Sequence, residues 1–146
     1  MDFIQSENQI MISQMLRDFA EKEIKPFMKQ WDDDEYFPID TMKKLGDLGL
    51  LGIFIPEEYG GSGVDAISAA IAIEELGWGC GSTALAIAAH NGLGTTPLVL
   101  YGSEELKKKW LPLVASGKNK LGALALTEPG AGSDLQGGVV TKAKKD

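Results

Sequence analysis

The sequence predicts a mainly α chain, with a helical domain over residues 1–120 followed by the first strand or two of a β domain over residues 121–146. Three observations point there. Up to Ala115 the apolar residues recur at steps of three and four, the spacing of one helix face. Ser, Asp or Pro precede these runs and Gly often follows them, the residues that start and stop helices. From Leu121 the period shortens: Leu121, Ala123, Ala125 and Leu126 form a brief apolar run suited to a buried strand, and Val139, Val140 and Thr141 suggest a second.

Ser6 and Gln9 have the spacing of a capping box, so a helix starts at Ser6. Its inner face holds Ile12, Leu16, Phe19, Ala20, Ile24, Phe27, Met28 and Trp31, and Pro26 inside that pattern demands a kink or short break near Lys25. An acidic, aromatic connection over residues 32–37 leads to Pro38, which opens a short helix with Met42, Leu45 and Leu48 inward and Gly49 as its C-terminal cap. Residues 50–56 are a continuous apolar run too short for another helix, read as a buried extended segment. Residues 56–63 form a loop on composition, either a surface linker or a functional segment.

Asp65 caps a helix carrying Ile67, Ile71 and the pair Glu74 and Glu75, which Gly77, Trp78 and Gly79 end. Ser82 caps the next, running through Leu85, Ile87 and Ala89 towards Leu98, Val99 and Tyr101, with a bend at Pro97 and an end at Gly102. Its small residues, Ala84, Ala86, Ala88, Ala89, Gly92 and Gly94, either pack closely on a neighbour or leave room for an apolar ligand. Ser103 starts a final helix with Leu106, Trp110 and Leu113 at helical spacing, limited by Pro112, and residues 118–120 make a polar connection.

Composition narrows the function classes. Hydrophobic residues make up 44% and charged residues 24%, ordinary globular values that argue against disorder. A net charge of −7 disfavours nucleic-acid binding, which needs clustered Lys and Arg. The single cysteine, Cys80, excludes an internal disulfide and a multi-thiolate metal site and is read as structural. No stretch reaches the length of an apolar membrane span, and the first residues resemble neither a signal nor a transit peptide, so the expected location is the cytoplasm.

The chemistry concentrates after the first expected strand. Gly130 and Gly132 let backbone approach a ligand without Cβ interference, loop N–H groups can point at an anionic group, and Thr127 and Ser133 add hydroxyls. Such a turn is either a solvated connection or a cofactor cradle. Glu128 and Asp134 are read as fixing the turn. Glu74 and Glu75 are read as a solvated surface pair. His90 is either a polar liner of a pocket or a hydrogen-bonded packing histidine.

The order of residues in 127–134, Thr-Glu-Pro-Gly-Ala-Gly-Ser-Asp, resembles a signature of the acyl-CoA dehydrogenase family. Two further stretches resemble family landmarks in the same order. Residues 44–52, Lys-Leu-Gly-Asp-Leu-Gly-Leu-Leu-Gly, precede Pro-Glu-Glu-Tyr-Gly-Gly at 56–61; His-Asn-Gly-Leu-Gly at 90–94 precedes Tyr-Gly-Ser-Glu-Glu-Leu-Lys-Lys-Lys-Trp-Leu-Pro at 101–112. The resemblance covers nearly the whole chain. It implies an N-terminal helical domain, a middle β domain and a C-terminal four-helix domain, in dimers or tetramers. It implies FAD as cofactor and conversion of an acyl-CoA thioester to a 2-enoyl-CoA, with a carboxylate taking the α-proton and the β-hydrogen leaving as hydride to flavin. It also implies an electron-transferring flavoprotein as acceptor.

Carried over by position, the resemblance places Leu124, Ala125, Leu126, Thr127, Glu128, Pro129, Gly130, Ala131, Gly132 and Ser133 against FAD. Ser133 would also contact acyl-CoA, with Ala89, His90 and Leu93 near the floor of the acyl pocket. The family's catalytic Glu lies in the C-terminal domain, so no catalytic residue is expected in this chain. Two incipient strands make no independent sheet, and the chain is expected to be the N-terminal, inactive portion of a longer enzyme. The alternatives are a noncatalytic helical interaction module, or a portion of a related acyl-CoA oxidase or flavin monooxygenase.

Overall fold

The computed structural model describes residues 4–117 and 121–144. The expected polar connection at 118–120, the domain boundary after residue 120 and the last two residues lie outside the described residues.

Helix α1 (Glu7–Phe19) opens with the expected capping box: the Gln9 N–H donates to Ser6 Oγ and the Gln9 side chain accepts from the Ser6 N–H. The expected break at Pro26 is a widening. Residues Ala20–Ile24 form a π-helical turn, the Lys25 N–H donates to the Ala20 carbonyl, and α2 (Met28–Asp33) resumes beyond it. Pro26 has no N–H, and its ring would collide with the carbonyl four residues back in a regular helix; the wider turn moves that carbonyl aside. The same device recurs before Pro97. There α5 (Gly81–Ala88) passes into a π-helical stretch, Ala89–Thr95, before α6 (Thr96–Tyr101), so the bend lies upstream of the proline.

Helix α3 (Ile39–Asp47) ends as expected at Gly49, whose φ of 80° is left-handed. Residues 50–56 are buried but not extended. Leu50–Gly52 is a 3-10 turn, with the Gly52 N–H donating to Gly49 and the Ile55 N–H to Gly52. Curling lets Leu50, Leu51, Ile53 and Ile55 all point inward, which an alternating strand could not do against a single core. The loop after it belongs to the core wall: the Ser62 N–H donates to the Gly52 carbonyl, the Val64 N–H to Ile53, and the Tyr59 hydroxyl to Glu104 Oε2 at 2.6 Å.

Asp65 caps α4 (Ala66–Gly79) through the N–H groups of Ile67 and Ser68. At its end Cys80 is extended, with φ −161°, and serves as cap residue for both α4 and α5, so Ser82 falls inside the first turn of α5 rather than at its cap. Helix α7 (Glu104–Ala115) starts at Ser103 as expected but continues through Pro112. Its buried face is Leu111, Val114 and Ala115; Leu106, Trp110 and Leu113 lie on the outer side.

The main core joins Leu16, Ala20 and Ile24 to Met42, Leu45, Leu51, Leu76, Ala84 and Ile87, and a second cluster puts Ile55 and Tyr59 against α7. Small residues permit close approach between helices: Gly79 lies against Ala20, and Gly77 against Ala84. Glu75 is not a solvated surface group. It is buried, accepting from Ser13 Oγ at 2.6 Å and from Arg17 Nε at 2.5 Å, while Glu74 is exposed. The Arg17 guanidinium and the Lys25 ammonium also lie over the Trp78 ring.

No strand occurs among the described residues. Leu121 and Leu126, expected in a buried strand, are 36% and 43% exposed. Ahead of Val139, where the second strand is expected, α8 (Leu135–Gly138) forms instead, capped by Asp134. Among the described residues, 121–127 have no neighbouring strand, and an extended run needs one to close its ladder.

Leu76 is fully buried in the main core. Leu76→Ala is expected to lower stability by about 2–5 kcal/mol, read from the urea midpoint, because the cavity adds to the lost transfer energy. A loss below about 1 kcal/mol would show that the core does not depend on α4.

Candidate functional site

The candidate site is the segment 121–134 and the place where it meets the helices. That place is the π-helical stretch Ala89–Thr95. His90 is 2% exposed, and its ring spans two chain segments. The Gly122 N–H donates to Nδ1 at 2.8 Å, so Nε2 carries the proton and donates to the Leu51 carbonyl at 2.9 Å. Gly94 completes the seat. A Cβ on Gly122 would come within 3.0 Å of the Gly94 backbone, and one on Gly94 would collide with Gly122. Burial pushes the imidazole pKa below its ordinary value, against the backbone of Leu51 and Val114, which favours the charged form.

Beside His90 stands Asn91, also 2% exposed. Its amide donates to the Leu50 and Ile87 carbonyls at 2.8 and 3.0 Å, and its oxygen accepts from the Ile53 N–H at 3.1 Å. The Asn91 carbonyl in turn accepts from the Thr95 and Thr96 hydroxyls. The widened helical turn is thereby tied to the curled segment 50–53. The role of Asn91 went unassigned in the sequence. Its signal was a set of polar residues, Thr83, His90, Asn91 and Thr95, at helical spacing on an otherwise apolar, inward face.

From Gly122 the chain runs outward. Ala123, Leu124, Ala125, Leu126 and Thr127 are exposed, and among the described residues their backbone groups have no hydrogen-bond partner. A tight turn follows. The Ala131 N–H donates to the Glu128 carbonyl and the Glu128 N–H to the Ala131 carbonyl, with Pro129 and Gly130 at the tip. The Glu128 carboxylate clips the turn to the chain beyond, accepting from the Val140 and Thr141 N–H groups at 2.9 and 3.0 Å. Glu128 thus fixes the turn, as expected, whereas Asp134 caps the short helix that follows it.

Of the other residues singled out, Ala131 is buried, whereas Thr127, Pro129, Gly130, Gly132 and Ser133 are exposed. A Cβ on Gly130 or Gly132 would meet no atom within 4 Å, so no contact within the chain excludes a side chain there. Ala89 is half-buried and Leu93 is 53% exposed. His90 uses both ring nitrogens internally, the behaviour of a packing histidine. An open, mainly apolar hollow of about 520 Å³ lies against α4 and the end of α5, lined by Ile53, Phe54, Ala69, Ala70, Ala88 and Asn91 among others. Of the small residues along the Ser82 to Gly102 stretch, Ala84 packs against Gly77 and Gly94 against Gly122, while Ala88 borders the hollow.

These features define a helical domain that presents an outward-facing, glycine-rich segment from a histidine-anchored seat. The family model described as acyl-CoA dehydrogenase, N-terminal domain, matches residues 6–118. The chain is 52% identical over 143 residues to the probable acyl-CoA dehydrogenase YngJ of Bacillus subtilis, covering 98% of this chain and 37% of that protein. It is 44% identical over 134 residues to the short-chain specific acyl-CoA dehydrogenase of Clostridium acetobutylicum, covering 92% and 35%. A crystal structure of an acyl-CoA dehydrogenase complexed with FAD from Bacillus anthracis superposes with a TM-score of 0.84 at 44% identity, covering 91% of this chain and 23% of that one.

The chain belongs to the acyl-CoA dehydrogenase family. It spans little more than a third of the two curated relatives' length. Among the described residues no helix is long and apolar enough to cross a membrane.

The Glu128 clip gives a pH dependence. The Thr141 hydroxyl and the Val140 and Thr141 N–H groups hold this carboxylate below its ordinary pKa of 4.5. A lowered folded pKa means that the clip's contribution is fully present above pH 4.5 and is lost as pH falls through the folded value. Val140 and Thr141 amide protection, followed by hydrogen exchange, should be constant from pH 7 down to about 4.5 and fall as pH drops further through the lower folded value. In Glu128→Gln it should be pH-independent.

Proposed function

We propose that this chain is the N-terminal portion of an FAD-dependent acyl-CoA dehydrogenase, with residues 1–120 as its helical domain and residues 121–146 as the beginning of its middle β domain. The observation that carries the reading is the exposed run 124–127, with no backbone partner among the described residues, on a chain of this family. Its free backbone donors and acceptors suit the polar edge of a planar heterocycle, and Leu124 and Leu126 suit the apolar part of one. Gly130 and Gly132, open on all sides, suit close approach by a group from outside the chain.

In this reading residues 124–133 hold FAD. The Leu126 and Thr127 backbone binds the pyrimidine edge, and the Thr127 hydroxyl lies where negative charge develops on reduction. Bound FAD supplies the acceptor for the hydride that leaves the acyl-CoA thioester. Ser133 contacts acyl-CoA. Ala89 and Leu93 line the acyl pocket, and His90 forms its floor through its buried position. The catalytic carboxylate is supplied by residues outside 1–146, the electron acceptor is an electron-transferring flavoprotein, and the intact enzyme is a cytoplasmic homo-oligomer.

Flavin titration and a turnover assay test this reading. With a short acyl-CoA and an artificial electron acceptor, the 146-residue chain should show no turnover; robust turnover would overturn the placement of the base outside it. In the holoenzyme, Thr127→Val should weaken FAD binding by up to about tenfold, the worth of one hydrogen bond. A chain that ignores both FAD and acyl-CoA but self-associates would favour an interaction module instead.

A further inference from the structure

One contact stands apart from the packing of the helices. Among the described residues, the hydrogen bond from the Gly122 N–H to His90 Nδ1 is the one that joins residues 121–144 to the helical body. It lies two residues before Leu124, and two residues of extended chain span at most about 7 Å. The seat is specific: His90 takes the Gly122 N–H, and Gly94, four residues on, lies so close to Gly122 that a Cβ at Gly94 would clash with it and one at Gly122 would be tight against Gly94.

We propose that His90 is a positioning residue: in its neutral form, with the proton on Nε2, it fixes Gly122 and through it the start of the 124–133 segment, and protonation of this one ring releases the segment from the helical domain. The site that the segment serves rests on the flavin reading above; the attachment itself does not.

The chemistry is that of an acceptor lost. Nδ1 accepts only while it has no proton, and an imidazolium would set one N–H against another. The Leu51 carbonyl remains as partner for Nε2–H, so protonation removes the Gly122 bond while the ring keeps its other anchor. Among the described residues, no charged side chain acts on the ring. Residues 89–95, 50–56 and 121–126 carry no titratable group besides His90. The charged residues of α7, Glu104, Glu105, Lys107, Lys108 and Lys109, sit in its first half, and only the backbone of Val114 acts on the ring from that helix. Burial lowers the imidazole pKa, so the attachment is complete above the ordinary value of 6.5 and is lost as pH falls through the lower folded value.

His90 is the only histidine in the sequence, so its ring signals in a ¹⁵N NMR spectrum are unambiguous. In the 146-residue chain, Gly122 amide protection should fall about tenfold on acidification, with the midpoint shown by the His90 ring nitrogens. His90→Asn keeps an acceptor where Nδ1 stood and should hold Gly122 protection constant with pH. His90→Gln keeps a donor for Leu51 but removes that acceptor, and should lose about tenfold in Gly122 protection at every pH while circular dichroism stays helical. Gly122 protection that ignores the wild-type imidazole titration, or that is unchanged in His90→Gln, would overturn the proposal. If a variant fails to fold, the wild-type titration decides alone. FAD fluorescence on the same samples separates the two readings: Gly122 tracking the imidazole in a chain that never binds FAD upholds the attachment and removes the flavin assignment.

Discussion

The structure turns on the Asn91 side chain. Buried in the middle of a widened helical turn, its amide satisfies the Leu50 carbonyl and the Ile53 N–H across the core and the Ile87 carbonyl within its own helix. A curled segment such as 50–53 leaves backbone groups that neither a helix nor a sheet can pair, and buried without partners each would cost about 1–3 kcal/mol. Asn91 removes that penalty and fixes how the α5–α6 arm sits against the 3-10 turn. Every described buried side-chain polar atom has a partner, so the seam is closed as well as apolar around its edges.

The rest follows from that seam. Because Leu50–Gly52 is held by Asn91, the Leu51 carbonyl stands where His90 Nε2 can donate to it, and the ring's other nitrogen then faces Gly122. The π-helical register that accommodates Pro97 also brings His90 and Asn91, adjacent in sequence, to bear on the same turn. Core, seat and exposed segment thus form one chain of contacts. In the reading as an acyl-CoA dehydrogenase portion, a rigid helical body would deliver a flavin-contacting strand at a defined starting point.

Most of the helical architecture was legible in the sequence because it depends on local chemistry. The Ser6, Asp65 and Ser103 caps, the stops at Gly49 and Gly102 and the break near Pro26 are decided within a few residues. What was not legible depends on distant partners. The curl of residues 50–56 needs Asn91, 41 positions from Leu50. The burial of Glu75 needs Ser13 and Arg17 on another helix. The strands expected after Leu121 do not form among the described residues, because a strand requires a neighbour and none is present there. In the candidate site, the turn-fixing role of Glu128 was readable from residue type, whereas Asp134 instead caps α8 and the Gly122 seat joins positions 32 apart that no periodicity connects.

The most direct measurement of this account is the unfolding free energy of Asn91→Ala, read together with Gly122 amide protection in the same protein. The account predicts a loss of at least about 2 kcal/mol, since the Leu50 and Ile53 groups would each lose a buried partner, and a parallel fall in Gly122 protection under native conditions. A loss below about 0.5 kcal/mol with Gly122 unchanged would contradict it, and would mean that apolar packing alone sets both the curled segment and the seat.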